Sequence, residues 1–106
     1  MNHKQVEKYL LSMPDTKLDY PFGQDIAVYK VKDKMFALVR EKKEPVQLSL
    51  KCDPLLAEVL RAKYDTVMPG YHLNKKHWNT IVLTGQLSWD EIKDLINHSY
   101  NLVEGR

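Results

Sequence analysis

The sequence predicts an α+β fold: an antiparallel sheet of about four to five strands with helices packed on it. Three consecutive segments of the first half of the chain are rich in apolar residues, with short polar turns between them, and in the third the apolar residues alternate with polar ones. Such segments are typical of neighbouring antiparallel strands. Apolar residues also recur at helical spacing at both ends of the chain and after the third strand. The predicted order is helix, three strands, helix, strand, helix, in a single domain spanning residues 1–106.

The first helix is predicted to cover residues 2–12. Asn2 is a candidate N-cap, and Gln5 follows it at the spacing of a capping box. Pro14 ends the helix. The segment 14–24 is predicted to be a loop because proline and glycine interrupt it, and Tyr20 and Phe22 are expected to be buried beneath it.

Three strands follow this loop. Residues 25–31 and 35–41 are predicted to form a hairpin, because the polar tripeptide between them has the composition of a tight turn. In residues 46–51, Val46, Leu48 and Leu50 alternate with polar residues. That pattern predicts a third strand with one buried face and one face in water.

The second half of the chain contains two more helices and one strand. Asp53 followed by proline is a strong helix start, so a helix is predicted over residues 54–64, with Leu56, Val59 and Leu60 on one face. A strand is predicted over residues 80–84. Ser88 and Glu91 have the spacing of a capping box and begin the last helix.

Composition limits the class of protein. The 16 basic and 14 acidic residues give a formal net charge of +2, so a nucleic-acid site has to be a local patch. The single cysteine, Cys52, cannot form an internal disulfide, which is typical of a reducing compartment. No apolar run approaches the roughly 20 residues that span a membrane. We therefore expect a monomeric protein of the cytoplasm with no membrane contact.

Residues 64–80 carry the densest set of polar and aromatic side chains in the chain. The segment contains two histidines, two adjacent lysines, a Pro-Gly turn signal and aromatic residues, and no acidic residue lies between Asp65 and Asp90. If it is extended, alternate residues from His72 to Trp78 share one face. If it makes a helical turn capped by Asn74, its free N–H groups favour an anion. The segment is therefore the candidate place of contact with a partner.

Catalysis and metal binding have weaker support. His72 and His77 are five residues apart, a spacing that separates the two rings on a helix or a strand, and no acidic residue or cysteine nearby completes a metal site. Cys52 precedes a helix start, where a thiolate is stabilised, but no partner residue accompanies it. No phosphate-loop or dinucleotide fingerprint is present. We therefore expect no enzyme activity, no cofactor and no metal.

Four motifs of the sequence are characteristic: Asp-Tyr-Pro-Phe-Gly at 19–23, Lys-Met-Phe-Ala-Leu at 34–38, Leu-Ser-Leu-Lys-Cys-Asp-Pro at 48–54 and, most specifically, Pro-Gly-Tyr-His-Leu-Asn-Lys-Lys-His-Trp-Asn-Thr at 69–80. In these motifs, and over essentially its whole length, the sequence resembles the MmcQ/YjbR family of small bacterial proteins. The resemblance implies a frataxin-like (CyaY-like) fold of the "double wing" type associated with DNA binding. Frataxins bind iron through an acidic first helix, whereas residues 2–8 here are mixed in charge, so no iron site is implied.

The resulting hypothesis is a non-enzymatic module that binds DNA weakly, with the ammonium groups of Lys75 and Lys76 free in solvent. The predicted contacts are Tyr71, His72, Asn74, Lys75, Lys76, His77, Trp78 and Asn79, with Arg40, Lys42, Lys43, Arg61 and Lys63 as auxiliary residues. One alternative is a small-molecule or protein-interaction domain whose pocket is lined by His72, Asn74, His77 and Trp78. Another is structural, with Asn74, His77 and Trp78 fixing a long connection through buried hydrogen bonds.

Overall fold

A computed structural model describes residues 3–105, and the proposed N-cap Asn2 lies outside them. Within this range the chain forms three helices and six strands. In chain order they are α1 (His3–Leu11), β1 (Lys17–Asp19), β2 (Ile26–Val31), β3 (Lys34–Arg40), β4 (Gln47–Lys51), α2 (Pro54–Lys63), β5 (Val67–Pro69), β6 (Trp78–Val82) and α3 (Trp89–Glu104).

The six strands form one antiparallel sheet in the order β1-β2-β3-β4-β6-β5. This confirms the predicted α+β class. The two strands beyond the predicted set, β1 and β5, have three residues each and lie at the two edges of the sheet. Such short strands carry no alternating pattern, so the sequence does not reveal them.

Local signals determine most of the element boundaries. Lys32 and Asp33 both have positive φ, as a two-residue hairpin turn between β2 and β3 requires. Asp53 accepts hydrogen bonds from the N–H groups of Leu55 and Leu56 at the start of α2. The Ser88 side chain accepts from the Glu91 N–H at the start of α3. The turn and both helix starts are therefore confirmed.

The helices cover one face of the sheet. The core beneath them contains residues from α1, α3 and every second position of the strands, among them Leu10, Tyr29, Leu48, Ile81 and Ile96. α3 packs across β2, β3 and β4, and α2 packs against β5 and β6 at the other edge. Because α2 lies at this edge, Ala57 is its only fully buried residue. The expectation that Val59 packs inward is wrong, since its side chain is exposed.

The opposite face of the sheet, which we call the far face, is also covered. Val28, Leu38 and Trp78 form a second buried cluster there, and Leu73 packs against it. The predicted wet face of the third strand is therefore wrong at Ser49, which is buried and whose hydroxyl lies 2.8 Å from the Thr80 hydroxyl. The reason is that residues 70–77, which we call the cover segment, fold back over the far face.

Tyr20 and Phe22 are exposed, so the expectation that they are buried is also wrong. β1 extends the sheet beyond β2, and residues 20–25 form the connection between these two antiparallel strands. The Tyr20 hydroxyl lies 3.4 Å from a Glu41 carboxylate oxygen.

Candidate nucleic-acid interface

The cover segment begins with a close approach of two backbones. The Gly70 N–H donates to the Trp78 carbonyl at 2.8 Å, and the Tyr71 N–H donates to the Thr80 hydroxyl at 3.0 Å. A Cβ atom at position 70 would lie 2.7 Å from the Cβ of Trp78. Only glycine fits at this distance. The two hydrogen bonds therefore hold the cover segment against β6 from its first residue.

The middle of the cover segment is a turn closed by Asn74. Its side-chain oxygen accepts hydrogen bonds from the N–H groups of Lys76 and His77 at 2.9 and 3.2 Å. The segment is therefore not an extended strand, and of the two conformations considered for it, the turn capped by Asn74 is the one that forms. The cap takes up the N–H groups of Lys76 and His77, so these two groups are not free for an anion.

Arg61 on α2 fixes the C-terminal end of the cover segment. Its Nε donates to the Asn79 side-chain oxygen at 2.6 Å, and its terminal nitrogen donates to the carbonyls of Trp78, at 3.2 Å, and Lys75. Asn79 is 2% exposed, and its amide nitrogen donates to the Ala57 carbonyl. Arg61 and Asn79 were predicted to contact DNA, and this is wrong, because both are committed to contacts inside the domain.

The two neighbouring lysines differ. The Lys75 ammonium group donates to the Gly70 carbonyl at 2.9 Å and so closes the cover segment on itself. Lys76 is exposed. None of the ion pairs formed within residues 3–105 involves either lysine. The expectation that both ammonium groups are free in solvent is therefore wrong for Lys75.

Tyr71, His72 and Arg40 form a stack on the surface. The guanidinium of Arg40, at the end of β3, lies 4.4 Å from the centre of the Tyr71 ring. The ring centres of Tyr71 and His72 are 4.1 Å apart with an angle of 59° between their planes. Tyr71 is 51% exposed. Arg40 and Tyr71 are both in the predicted set, but they are so far apart in the chain that no sequence signal shows that they meet.

A basic cleft adjoins this stack. It has a volume of about 390 Å³ and is lined by Arg40, Lys42, Lys43 and Asp25. Lys42 is ion-paired with Asp25 at 3.0 Å, and Lys43 is exposed. Arg40 therefore belongs to both the stack and the cleft. Lys63 lies apart from them on α2, with its ammonium 5.2 Å from the centre of the Tyr64 ring.

The predicted pocket does not form. Trp78 is 8% exposed and belongs to the far-face cluster, so it is not a surface contact either. His72 stacks on Tyr71, while the Asn74 side chain caps its own turn. The backbone carbonyl of His77 accepts from the Cys52 N–H at 2.8 Å. These four side chains therefore do not line one pocket. The structural alternative holds in part: Asn74 closes the turn through hydrogen bonds that are exposed and not buried, and Trp78 packs in the far-face cluster.

Comparison with known proteins identifies the family. The YjbR family model matches residues 11–102, most of the chain. The chain belongs to the YjbR family. Among its relatives in the family, Escherichia coli O157:H7 YbdF is 36% identical over 101 residues, which cover 95% of this chain and 83% of YbdF. YjbR of Escherichia coli K12 is 35% identical over 100 residues, covering 94% of this chain and 85% of YjbR.

Solved structures support the same assignment. The crystal structure of the Deinococcus radiodurans protein DR2400, which carries a DUF419 domain, matches this chain with a TM-score of 0.92 and 34% sequence identity. The match covers 99% of this chain and 80% of DR2400. A Pseudomonas syringae crystal structure matches with a TM-score of 0.84 and 35% identity, over 97% and 99% of the two chains. The names of these relatives state no activity, so the function of this YjbR-family protein has to be inferred from its surface.

Cys52 does not have the character of a catalytic thiol. Burial, and to a lesser extent the nearby Asp53 carboxylate, raise the pKa of Cys52 to about 11, while Arg61 opposes them. The thiol is therefore protonated at neutral pH, so the stabilisation that a helix start can give to a thiolate does not decide its state here. Among residues 3–105, no three histidine, cysteine or acidic side chains come together as a metal site. No helix in that same range is long and apolar enough to cross a membrane.

Proposed function

We propose that this YjbR-family protein is a non-enzymatic DNA-binding module that acts as a monomer in the cytoplasm. The observation that carries the proposal is the basic cleft beside a half-exposed aromatic ring, with Arg40 shared between the two. The contact surface consists of Arg40, Lys42, Lys43, Tyr71 and His72, and the exposed Lys76 adds a further cation. Lysine and arginine side chains supply the phosphate contacts that dominate nucleic-acid affinity.

The acidic residue in the cleft does not prevent phosphate binding. Asp25 and Lys42 are both largely exposed, and such an ion pair contributes only about 0–1 kcal/mol to stability. A DNA phosphate therefore replaces Asp25 as the partner of Lys42 at little cost. Because Lys75 and Arg61 are bound internally, the surface offers roughly three to four phosphate contacts, for which the log–log salt slope is about −3.

The test is a titration of labelled duplex DNA at low and moderate salt. The variant Lys42→Ala/Lys43→Ala/Lys76→Ala should weaken binding and make the salt slope shallower by about 0.9 for each phosphate that it no longer neutralises. The matched control is Lys4→Ala/Lys8→Ala/Lys17→Ala, which removes the same charge from exposed positions on α1 and β1. Absence of binding at low salt, or equal weakening in the control, contradicts the proposal.

A further inference from the structure

We infer that the Arg40–Tyr71–His72 stack is a platform for an unpaired nucleobase, so that the preferred ligand is single-stranded nucleic acid. The inference rests on the proposed function and specifies its ligand. Tyr71 contacts two other flat, delocalised groups: the guanidinium of Arg40 lies 4.4 Å from the centre of its ring, and the imidazole of His72 lies beside it at an angle of 59°. Tyr71 and His72 are both exposed.

The platform is held in place before any ligand arrives. The Tyr71 N–H donates to the hydroxyl of Thr80, which is fully buried and adjoins the hydroxyl of Ser49. The backbone of His72 has φ +58°, a left-handed conformation, and its ring lies beside the Tyr71 ring. A surface ring fixed in this way loses little conformational freedom when a base stacks on it.

The stack and the cleft together match the two parts of one nucleotide. Arg40 covers the Tyr71 ring and also lines the cleft with Lys42 and Lys43. A base that extends the stack therefore has its phosphate beside cationic side chains. In a duplex the faces of the bases are hidden by their neighbours, whereas a single strand presents them, and aromatic platforms next to a basic groove bind such strands with little sequence preference.

A second surface cleft lacks the net positive charge of the basic cleft beside Tyr71. That cleft is larger, about 540 Å³, but its charged lining is balanced between three lysines and three aspartates: Lys17, Lys30, Lys32, Asp15, Asp19 and Asp33. Lys30 is ion-paired with Asp19, and Lys32 with Glu104. Among the residues that the structure describes, no aromatic side chain lines it. It therefore offers neither a net positive field nor a stacking surface to a nucleotide.

The experiment compares the binding of three fluorescently labelled probes at one fixed salt concentration: oligo-dT and oligo-U, each about 12 nucleotides long to match the site sizes of single-strand binders, and a duplex of the same length. Binding of oligo-dT should be tighter than binding of the duplex. Tyr71→Ala should weaken oligo-dT binding roughly 5- to 100-fold, the range for removal of one stacked base, and should change duplex binding less than about twofold. Tyr71→Phe keeps the aromatic ring and should retain oligo-dT binding. Tyr71→Leu keeps a similar bulk without the ring and should lose oligo-dT binding. Circular dichroism checks that each variant is folded.

The outcomes separate this inference from the proposed function. Equal binding of single strand and duplex, with no effect at Tyr71 and clear weakening in the triple lysine variant, overturns the platform and leaves the DNA-binding surface. Retention of oligo-dT binding by Tyr71→Leu also overturns the platform. Binding of oligo-U without oligo-dT supports the platform and replaces DNA by RNA as the ligand. No binding to any of the three probes overturns both.

Discussion

Arg61 joins α2 to β6 and to the cover segment through three hydrogen bonds from a single guanidinium group. Its acceptors are a buried side-chain amide and two backbone carbonyls. The planar fork of arginine suits this divided set of acceptors, and a lysine ammonium does not reproduce it. A sequence shows only a basic residue near a helix end, which is why Arg61 was predicted to be a surface cation.

Replacement of Arg61 should destabilise the fold. We expect Arg61→Met to lower the free energy of unfolding by about 2–4 kcal/mol, because it leaves the Asn79 oxygen and two carbonyls without their charged donor. Arg61→Lys should recover only part of this stability. Urea denaturation followed by circular dichroism measures both. Lys63→Met is the control, since this exposed residue should change stability by less than about 0.5 kcal/mol. An equal effect of the two methionine variants contradicts the structural role of Arg61.

At the scale of elements, the cover segment is the feature that makes the far face of the sheet an interior. It contributes Leu73 to the cluster of Val28, Leu38 and Trp78. It also places Tyr71 at the surface, beside Arg40 at the end of β3. One segment thus closes a second core and builds the candidate site, so changes that loosen it should affect stability and binding together.

The contact between Gly70 and Trp78 gives a direct test of this segment. Gly70→Ala should lower the free energy of unfolding by about 1–3 kcal/mol, because the added methyl group meets the Cβ of Trp78 at 2.7 Å and hydrogen bonds fix both backbones. In a Trp89→Phe background, tryptophan fluorescence reports on Trp78 and should shift. Gly85→Ala is the control: nothing lies within 4 Å of its added atom, so its cost is confined to the left-handed backbone. An unchanged Trp78 signal in Gly70→Ala would contradict the close packing.

Elements that are specified by residues close together in the chain can be predicted from the sequence, whereas elements that depend on distant residues cannot. Caps, turn residues and alternation act over a few neighbouring residues, and they located α2, α3 and the β2–β3 hairpin. The edge strands β1 and β5 have three residues each and depend on pairing with other strands. The burial of Ser49 depends on the cover segment, which is distant in the chain, so a local pattern predicted the wrong environment for it.

The candidate site was predictable as a region and not as an arrangement. Tyr71, His72 and Lys76 are exposed on the predicted segment. Trp78 and Asn79 have the same kinds of side chain as surface contacts, yet they point into the protein because β6 places them there. Arg40 meets Tyr71 through the folding of the chain alone. Side-chain type is therefore readable from the sequence, while its direction is set by tertiary contacts.

At the scale of the whole molecule, β4 lies between β3 and β6 and has both of its faces covered. Leu48 and Leu50 face the core beneath the helices, and Ser49 faces the far side. Val28, Leu38, Ser49 and Thr80 lie side by side across four consecutive strands of the sheet. This row is the centre of the far face, and the edge strands lie outside it or at its end.

This layered arrangement predicts a gradient of stability across the sheet. In native-state hydrogen exchange, the hydrogen-bonded amides of β3, β4 and β6 should exchange at least about 100-fold more slowly than those of β1 and β5, because central strands open only with the whole domain and short edge strands fray. Leu73→Ala should lower the free energy of unfolding by about 1–2 kcal/mol and speed exchange in the central strands. Leu55→Ala is the matched control, since Leu55 is 75% exposed on α2 and should leave exchange unchanged. Uniform exchange rates across all six strands, or an unchanged stability in Leu73→Ala, would contradict a sheet buried on both faces, and the cover segment would then have to be regarded as a surface loop.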